Sequence, residues 1–571
     1  MLNNEVYMRT SAEVCSQVAS YFQIVDNCIA DADTNHTYAI NPQTSYSPSP
    51  PIQGGSHTSV IISPNTHNTA DIYNGFIRVT LKVHIKFKET KGIGKIGADT
   101  LGFPFNKVWF GFKDARDAVE KYEIVANGMS IYTQNFGCEE SFITACCSNE
   151  VTKRADVYSK TRHKDVWNGT FGKRCGVELT WGEYNEEVVN IPLKIDLRRF
   201  LPLSNIKYLP AFAGKIELRL YFSTAAMVYC PVGPSRKLRN NIQKWMTFEL
   251  EDITNEFTPI NEPITMWTHA DGETEPAAIE GTRENHSQGT TGGGASPSPS
   301  PSPTPGSGKT ELTAGPKLIK AGVRTFYVDQ FSIEECQTVI PCFGIRDDVY
   351  NMLVQRYSSQ DHPLTFPTQT ISFFTTTRPL KNINDKATIT ITPRFVDSIF
   401  CLFPLKHTHK TYFKNPQFEH FQLNCGGYGN IPVKTFGTKP EYPEFIEYCQ
   451  NAMNVNSEQT GFNKEVTASL VNGKKPRADI TGNYPDDRSS FFIGFPTETD
   501  GTYQQGLTSL APINFEMIVS QSTEEGSFAQ LTETPPLLGL LLDASISILV
   551  LPNGMPPKVV IGAYDITTPG A

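Results

Sequence analysis

Residues 76–87 read FIRVTLKVHIKF. Apolar side chains occupy every second position through most of its length, and Arg78, Lys82 and Lys86 are among the residues between them. Consecutive side chains of a β-strand point to opposite faces of the sheet, so this pattern buries one face and leaves the other in water. The stretch therefore predicts a half-buried strand of an antiparallel sheet.

Shorter stretches of the same kind recur along the chain, with few helical periods between them. They lie at 107–112, 122–125, 129–132, 188–195, 215–222, 325–328, 388–392, 399–403, 491–495, 514–519 and 559–563. The 571 residues also include 42 Gly and 40 Pro, which supply many turns. This mixture is typical of β-sandwiches. Because one hydrophobic core stops growing at about 250–300 residues, at least two domains are expected.

Segments of the two halves of the chain resemble one another in the same order. The pairs are 109–112 with 400–403, 122–128 (YEIVANG) with 418–426 (FEHFQLNCG), and 142–146 (FITAC) with 445–449 (FIEYC). The Asn-Gly or Gly-Gly step in each copy supplies the positive φ that a tight hairpin turn needs. The common order suggests two copies of one domain in tandem.

We divide the chain into an N-terminal arm (1–70), a first sandwich (71–345) and a second sandwich (346–571). The arm has a helical apolar stripe from Val14 to Val25, then a part rich in Thr, Asn, Ser and Pro that is expected to be flexible. Two interpretations of the arm stay open. Its helix docks on its own domain, or the arm contacts a neighbour or an inner membrane.

A low-complexity Ser/Pro/Gly segment at about 270–316 is expected to lie outside any sheet. We place it as a long loop inside the first sandwich, because 324–328 reads as a strand and 347–354 as a short connecting helix. The alternative is a linker between the domains.

Charge and cysteine content exclude some functions. The net charge of −9 argues against a surface built to neutralise phosphate, so specific nucleic-acid binding is not expected. The short basic patch at 236–244 is taken as a solvated loop, with contact to packaged genome or a neighbour as the alternative. The twelve cysteines include no C-x-x-C pair, and the first residues lack a signal-peptide pattern. Folding in a reducing compartment with buried thiols follows.

Several motifs that mimic sites lack the context a site needs. Residues 92–97 fit G-x-G-x-x-G, but no helix follows them, and 308–310 (GKT) lack the first glycine of a phosphate loop. The cluster at Asp114, Arg116, Asp117 and Glu120 is explained by i,i+3 and i,i+4 ion pairing on a short helix or turn. No catalytic residue, cofactor or metal site is therefore predicted, and the chain is not expected to be an enzyme.

Histidines give the one metal alternative. His407 and His409, with Glu419 and His420, are taken as a solvated loop beside a separate strand, and a two-histidine carboxylate site is the alternative.

Residues 189–203 read VNIPLKIDLRRFLPL, and 208–210 (YLP) and an alternating strand at 215–220 follow. Together with 395–403 (FVDSIFCLF) and 415–423 (NPQFEHFQL), this resembles the double jelly-roll major capsid proteins of virophages, Polinton-like viruses and large DNA viruses, more distantly adenovirus hexon. The residues that match the family motif are Ile191, Pro192, Leu193, Phe200, Leu201, Pro202, Phe418, His420 and Phe421.

The resemblance implies an all-β fold of two tandem eight-stranded antiparallel jelly-roll sandwiches, with short helices in loops. It implies a homotrimer that forms a pseudo-hexagonal capsomer and tiles an icosahedral virion shell, assembled inside the host cell. The partners would be other copies, penton proteins and minor capsid proteins. The alternatives are a minor capsid or spike protein that binds a receptor or carbohydrate, and a cupin-type metal enzyme.

Overall fold

The computed structural model describes residues 18–28, 35–43, 57–64, 68–89, 107–147, 175–180, 186–231, 258–269, 318–358, 363–380, 384–413, 418–426, 430–433, 492–497, 506–521, 534–551 and 555–562. Three helices lie among them: α1 (18–28), α2 (Gly137–Cys147) and α3 (Asp347–Tyr357). None of the helices in these ranges is both long and apolar enough to cross a bilayer.

Strands make up most of the rest. Those before α3 are β1 (Asn35–Gln43), β2 (Thr58–Ile61), β3 (Thr69–Asp71), β4 (Phe76–Glu89), β5 (Lys107–Gly111), β6 (Val119–Ala126), β7 (Met129–Gln134), β8 (Gly176–Thr180), β9 (Glu186–Asp196), β10 (Tyr208–Pro210), β11 (Ile216–Phe222), β12 (Val228–Pro231), β13 (Thr258–Pro259), β14 (Pro263–His269) and β15 (Leu318–Gly344). Those after it are β16 (Leu364–Thr375), β17 (Asn384–Ile391), β18 (Val396–Leu402), β19 (Phe418–Cys425), β20 (Asn430–Val433), β21 (Ile493–Pro496), β22 (Ile513–Gln521), β23 (Leu537–Leu549) and β24 (Lys558–Gly562).

The second sandwich consists of two antiparallel sheets. One sheet has the order β16-β23-β18-β21, with β24 added along β23, and the other has the order β17-β22-β19-β20. Counting from β16 to β23 as first to eighth, the sheets hold strands one, eight, three and six, and strands two, seven, four and five. Eight strands wound into two sheets in this way form a jelly roll.

The first sandwich repeats this order. Both β1 and β3 pair with Cys342 and Phe343, so they lie on opposite sides of β15, and one sheet has the order β1-β15-β4-β9. The facing sheet has the order β2-β11-β6-β7, and β5 and β12 extend it as a second half-sheet with β8 and β13. In chain order these eight strands are β1, β2, β4, β6, β7, β9, β11 and β15. The first sheet again holds the first, eighth, third and sixth of them, and the facing sheet holds the second, seventh, fourth and fifth. The predicted pair of tandem eight-stranded jelly rolls is confirmed.

The alternation in residues 76–87 has the predicted effect. Five apolar side chains of β4 are buried with at most 2% exposure: Ile77, Val79, Leu81, Val83 and Ile85. Between them, Arg78 is exposed and Lys82 and Lys86 are half-buried. The outer face carries ion pairs, such as Lys82 with Glu334 on β15 at 3.3 Å. One face of the sheet thus forms core and the other meets water.

The domain boundary at residue 71 stays a prediction, but the structure bears on what precedes it. Within 1–70 it places α1, which is consistent with a partly helical arm, and also β1, β2 and most of β3. All three strands pair with strands of the first sandwich. These strands were not predicted, because this Thr- and Ser-rich region has too few apolar residues to give an alternating pattern.

The low-complexity segment at about 270–316 lies outside the described residues. The strands that flank it, β14 and β15, pair with each other from Pro263↔Thr325 to His269↔Leu318. The chain therefore leaves and re-enters the same sheet of the first sandwich across this segment.

The similar segments of the two halves occupy equivalent strands only in part. Residues 122–126 and 418–425 lie on β6 and β19, and both strands are fourth in their jelly roll. In contrast, 109–111 lie on β5, which extends that fourth strand, whereas 400–402 lie on β18, the third. Residues 445–449 lie outside the described ranges.

Candidate functional site: the junction between the two sandwiches

The motif at 189–203 runs from the edge of the first sandwich to its contact with the second. On β9, Ile191 and Leu193 are buried with 0% and 2% exposure, and Pro192 between them is exposed. The strand ends at Asp196, where two 3₁₀ turns, Leu197–Arg199 and Leu201–Leu203, follow. The turns place Phe200, Leu201 and Pro202 at the junction.

Phe200 holds a buried arginine in place. Its ring is fully buried, meets the Tyr122 ring edge-on at 5.0 Å, and lies 4.2 Å from the centre of the Arg116 guanidinium. The Arg116 guanidinium also lies over the Tyr122 ring, 4.7 Å from its centroid. Aromatic faces attract cations, and more strongly when water is excluded. The predicted motif residue therefore has a definite task, which is to enclose Arg116.

Arg116 has no exposed surface and lies on a 3₁₀ turn, Ala115–Ala118. Its Nη1 donates to Val119 O (3.1 Å) and Gly137 O (3.3 Å), and its Nη2 lies 3.7 Å from Glu140 Oε1. Glu140, on α2, is buried as well. A buried charge is tolerated only when it is paired, and removing one partner of such a pair costs about 3–5 kcal/mol.

Glu140 connects this ion pair to the motif. Its carboxylate accepts from Tyr122 OH at 2.8 Å and from the backbone N–H of Leu201 at 3.2 Å. Burial raises the pKa of Glu140, and the Arg116 guanidinium opposes that shift. The carboxylate thus fixes α2, β6 and the motif to one another.

The cluster of Asp114, Arg116, Asp117 and Glu120 corrects the sequence interpretation. Asp114 and Asp117 are i,i+3 neighbours, but they form a capping box around the 3₁₀ turn and not an ion pair. The ion pairs of the cluster are made with residues outside it. Arg199 Nη2 lies 2.8 Å from Asp114 Oδ2, and Arg116 pairs with Glu140. The predicted i,i+3 and i,i+4 ion pairing was therefore wrong for Asp114 and Arg116, which are buried and pair with distant residues.

Two carboxyl groups here titrate near neutral pH. Burial, and then the charge of Asp114, raises the pKa of Asp117 to about 7. Burial raises the pKa of Glu139 to about 7 as well, although the nearby Lys410 opposes the shift. Because both values lie above those of free carboxyl groups, protonation stabilises the folded state at this point.

The second sandwich meets the motif edge-on, through β16. The hydroxyl of Thr368 lies 3.0 Å from Leu201 O and 2.9 Å from Pro202 O, so it donates to the motif's backbone. Near the middle of the same strand, Ile371 O accepts from Gln134 Nε2 at 2.7 Å. The outer backbone groups of an edge strand are thereby used to join the sandwiches.

The loop at 404–413 of the second sandwich clasps the first. Lys113 Nζ donates to Thr411 O at 2.8 Å, and Lys410 Nζ lies 3.7 Å from Glu139 Oε1. Glu262 accepts from Lys406 Nζ at 2.8 Å and lies 3.2 Å from Nε2 of His409. The loop therefore makes charged or polar contacts with three separate parts of the first sandwich.

Apolar packing crosses the junction on both sides of these polar contacts. Phe142 of α2 packs on Phe413 and Phe492 with ring centroids at 4.9 and 6.1 Å. Elsewhere, Tyr21 of α1 is fully buried against Tyr357 and Phe366 at 6.3 and 6.0 Å. The largest core cluster is continuous across the junction and includes these residues of the second sandwich: Leu364, Phe366, Ile546, Ile548 and Val559. This cluster therefore spans the junction, and the second sandwich has a separate core cluster of its own.

The remaining predicted motif residues lie away from the junction. Phe421 is buried in the core of the second sandwich, where its ring meets Phe403 at 6.0 Å. Phe418 and His420 lie on the same strand, β19, and their side chains fall outside the described residues. The structure thus does not bring the two halves of the motif together.

Sequence reasoning missed Glu140, Thr368 and Gln134. Thr368 and Gln134 have no signal in the sequence, because a lone polar residue in a strand reads as solvent-facing. Glu140 stands two positions before Phe142 and lies outside the segment 142–146, which was singled out only for its similarity to 445–449.

The structure describes the side chains of His407 and His409, whereas those of Glu419 and His420 lie outside the described residues. His407 is exposed, whereas His409 is buried and pairs with Glu262, so the solvated loop was wrong for His409. No group of three or more His, Cys, Asp or Glu side chains in the described ranges could hold a metal ion. The segments at 92–97, 236–244 and 308–310 lie outside those ranges.

Two tandem jelly rolls fixed at a buried junction make this chain a double jelly-roll protein. Among solved structures it is similar to a chain of the Sputnik virophage structure determined by cryo-EM, with 10% identity, a TM-score of 0.46, and coverage of 93% of this chain and 89% of that one. The crystal structure of the mavirus major capsid protein has 10% identity, a TM-score of 0.45, and coverage of 92% and 90%. The Faustovirus major capsid protein has 8% identity, a TM-score of 0.39, and coverage of 90% of both chains. No family model and no curated protein matches the sequence.

Proposed function

We propose that this chain is the structural major capsid protein of a non-enveloped icosahedral DNA virus. Three copies form a pseudo-hexagonal capsomer in which each chain supplies two of six sandwiches, and capsomers tile the virion shell. The work of the protein is geometric, since it sets the shape and spacing of a building block. It has no catalytic step.

The single observation that carries this proposal is the junction. Two jelly rolls with the same strand order are joined by a core cluster that spans both and by hydrogen bonds between them, from Thr368 Oγ1 to Leu201 O and from Gln134 Nε2 to Ile371 O. A ligand-binding or catalytic protein has no need to fix two copies of one sandwich as a single block, whereas a subunit that must present six equivalent walls from three chains does. The sequence resemblance at 189–203 points the same way.

Partners and location follow from this role. The first partner is the chain itself, within a homotrimer and between capsomers, where a ring of closed three-fold contacts is stronger than the contacts between tiles. Penton and minor capsid proteins fill the positions that the trimer cannot. Specific nucleic-acid binding is not part of the proposal.

Mass measurement of the purified full-length chain tests the proposal. At micromolar concentration we expect a homotrimer of three times the 63.4 kDa chain mass, with larger assemblies as the concentration rises. A chain that stays monomeric throughout would contradict the proposal. If that monomer also bound defined sugars on a carbohydrate array, the alternative of a spike or minor capsid protein would replace it.

A further inference from the structure

Within the described strands, prolines are concentrated in those at sheet edges. The edge strands β9, β10, β13, β16, β20 and β21 each contain one: Pro192, Pro210, Pro259, Pro367, Pro432 and Pro496. The branch strands β1 and β14, which pair only with β15, contain Pro42 and Pro263. Among described strands with neighbours on both sides, only β12 and β15 contain proline. Edge strands expose unpaired backbone groups that can template pairing with another chain, and proline removes a donor from them.

The long edge strands differ in what covers their outer backbone groups. The outer edge of β16 faces the first sandwich, where Gln134 Nε2 donates a hydrogen bond to Ile371 O. The edge of β17 is covered by the loop before it, since Thr377 N donates to Thr388 O and Arg378 Nε donates to Lys386 O, both at 3.0 Å. The edge strands without proline and without such cover, β2, β7, β8 and β24, are each six residues or shorter. Short edges are poor templates.

The strand β9 is the longest edge that has no cover within the described part of the chain. It has 11 residues, and β4 is the only described strand that pairs with it. Its pairing with β4 runs without a register shift from Phe76↔Asp196 to Lys86↔Glu186. Such a long, regular edge would accept another strand unless something in it prevents pairing.

Pro192 stands at the middle of this edge. It is opposite Thr80 in the uninterrupted ladder, so its nitrogen, which has no hydrogen, faces away from β4. In an antiparallel strand, residues two apart direct their backbone groups to the same side. The outward groups of β9 therefore belong to Val188, Asn190, Pro192 and Lys194, and the ring of Pro192 interrupts them at the centre.

We propose that Pro192 prevents a strand of a second copy of this chain from adding to β9. Copies then meet through faces and loops, and their sheets do not merge at this edge. The proposal goes beyond the capsid function, because it holds for any assembly in which β9 edges of several copies come close.

The test replaces Pro192 by Thr in the full-length chain, since Pro192 is exposed and Thr suits a strand. Pro64→Thr is the matched control, because Pro64 is half-buried in a loop after β2. Each protein is concentrated stepwise, and sedimentable mass and the infrared band of intermolecular β-sheet are measured against wild type. We expect Pro192→Thr to form sheet-linked material at a roughly tenfold lower concentration, as one or two new hydrogen bonds per contact allow, and Pro64→Thr to match wild type.

Pro192→Ala keeps the test decisive if the threonine variant folds poorly, because alanine restores the N–H with less strand preference. We expect a smaller shift in the same direction. Equal behaviour of wild type and both Pro192 variants would overturn the proposal, and so would an equal shift in Pro64→Thr. The comparison is with wild type in whatever oligomeric state it has, so its outcome is independent of whether the chain forms trimers.

Discussion

Thr368 is the residue through which the second sandwich binds the motif of the first, by donating to Leu201 O and Pro202 O. Thr368→Val keeps the shape of the side chain but leaves these carbonyl groups without their donor. We expect the free energy of unfolding to fall by about 1–2 kcal/mol, measured by chemical denaturation. Thr390→Val, on an exposed position of β17, is the control and should change it by less than about 0.5 kcal/mol. Equal effects of the two variants would contradict the role of the motif.

Asp117 gives the junction a dependence on pH. Its pKa of about 7 in the folded protein exceeds the ordinary value of 3.8, so the folded state binds the proton more tightly than the unfolded state. Stability from this group is therefore present below about pH 4 and is lost as the pH rises towards 7 and above.

Asp117→Asn should flatten this dependence, because asparagine does not titrate and still accepts the hydrogen bond from Asp114 N. Between about pH 5 and pH 8, we expect the wild type to lose at least about 1 kcal/mol more unfolding free energy than the variant. Asp348→Asn, at an exposed side chain of α3, is the control and should run parallel to wild type. Parallel curves for all three proteins would sink this account of Asp117.

At the scale of elements, α1 packs on the second sandwich through Tyr21, whose ring is buried and whose hydroxyl has no hydrogen-bond partner among the described residues. Tyr21→Ala should lower the unfolding free energy by about 3–5 kcal/mol and speed amide hydrogen exchange across 18–28. Tyr21→Phe should stay within about 1 kcal/mol of wild type, since only an unpaired hydroxyl is lost. Gln23→Ala, on the exposed side of α1, serves as the control. A harmless Tyr21→Ala would mean that α1 is not docked in solution.

The elements also show what the sequence can predict. Regular alternation of apolar residues predicted β4, β9 and β11, because each of these strands buries every second residue along most of its length. It found only residues 325–328 of β15, a strand of 27 residues. The ladder of β15 with β4 shifts register between Val328 and Gln330 and again between Ile333 and Glu335, and each shift moves the apolar positions to the other parity.

The candidate site was less accessible to sequence reasoning for a different reason. Phe200, Leu201 and Pro202 were found as a motif, but their partners are distant in sequence. Thr368 is 167 positions from Leu201. Periodicity reports which face of an element is buried, and it carries no information about which element covers that face.

At the scale of the whole molecule, a core cluster that spans the junction should make the two sandwiches unfold together. We expect one calorimetric transition for the full chain, because residues such as Phe366 and Ile546 belong to the same cluster as the core of β4. Separate domains with a small interface would melt in two steps. Two resolved transitions, each with part of the enthalpy, would show that the junction does not couple the sandwiches.

Electron microscopy of the purified full-length chain shows whether three copies form the proposed capsomer, because it reveals the shape of the particle. We expect class averages of a three-chain particle with a six-lobed, pseudo-hexagonal outline, in which each lobe is one sandwich. Averages of two sandwiches hinged at varying angles, or of lone two-lobed monomers at every concentration, would contradict it.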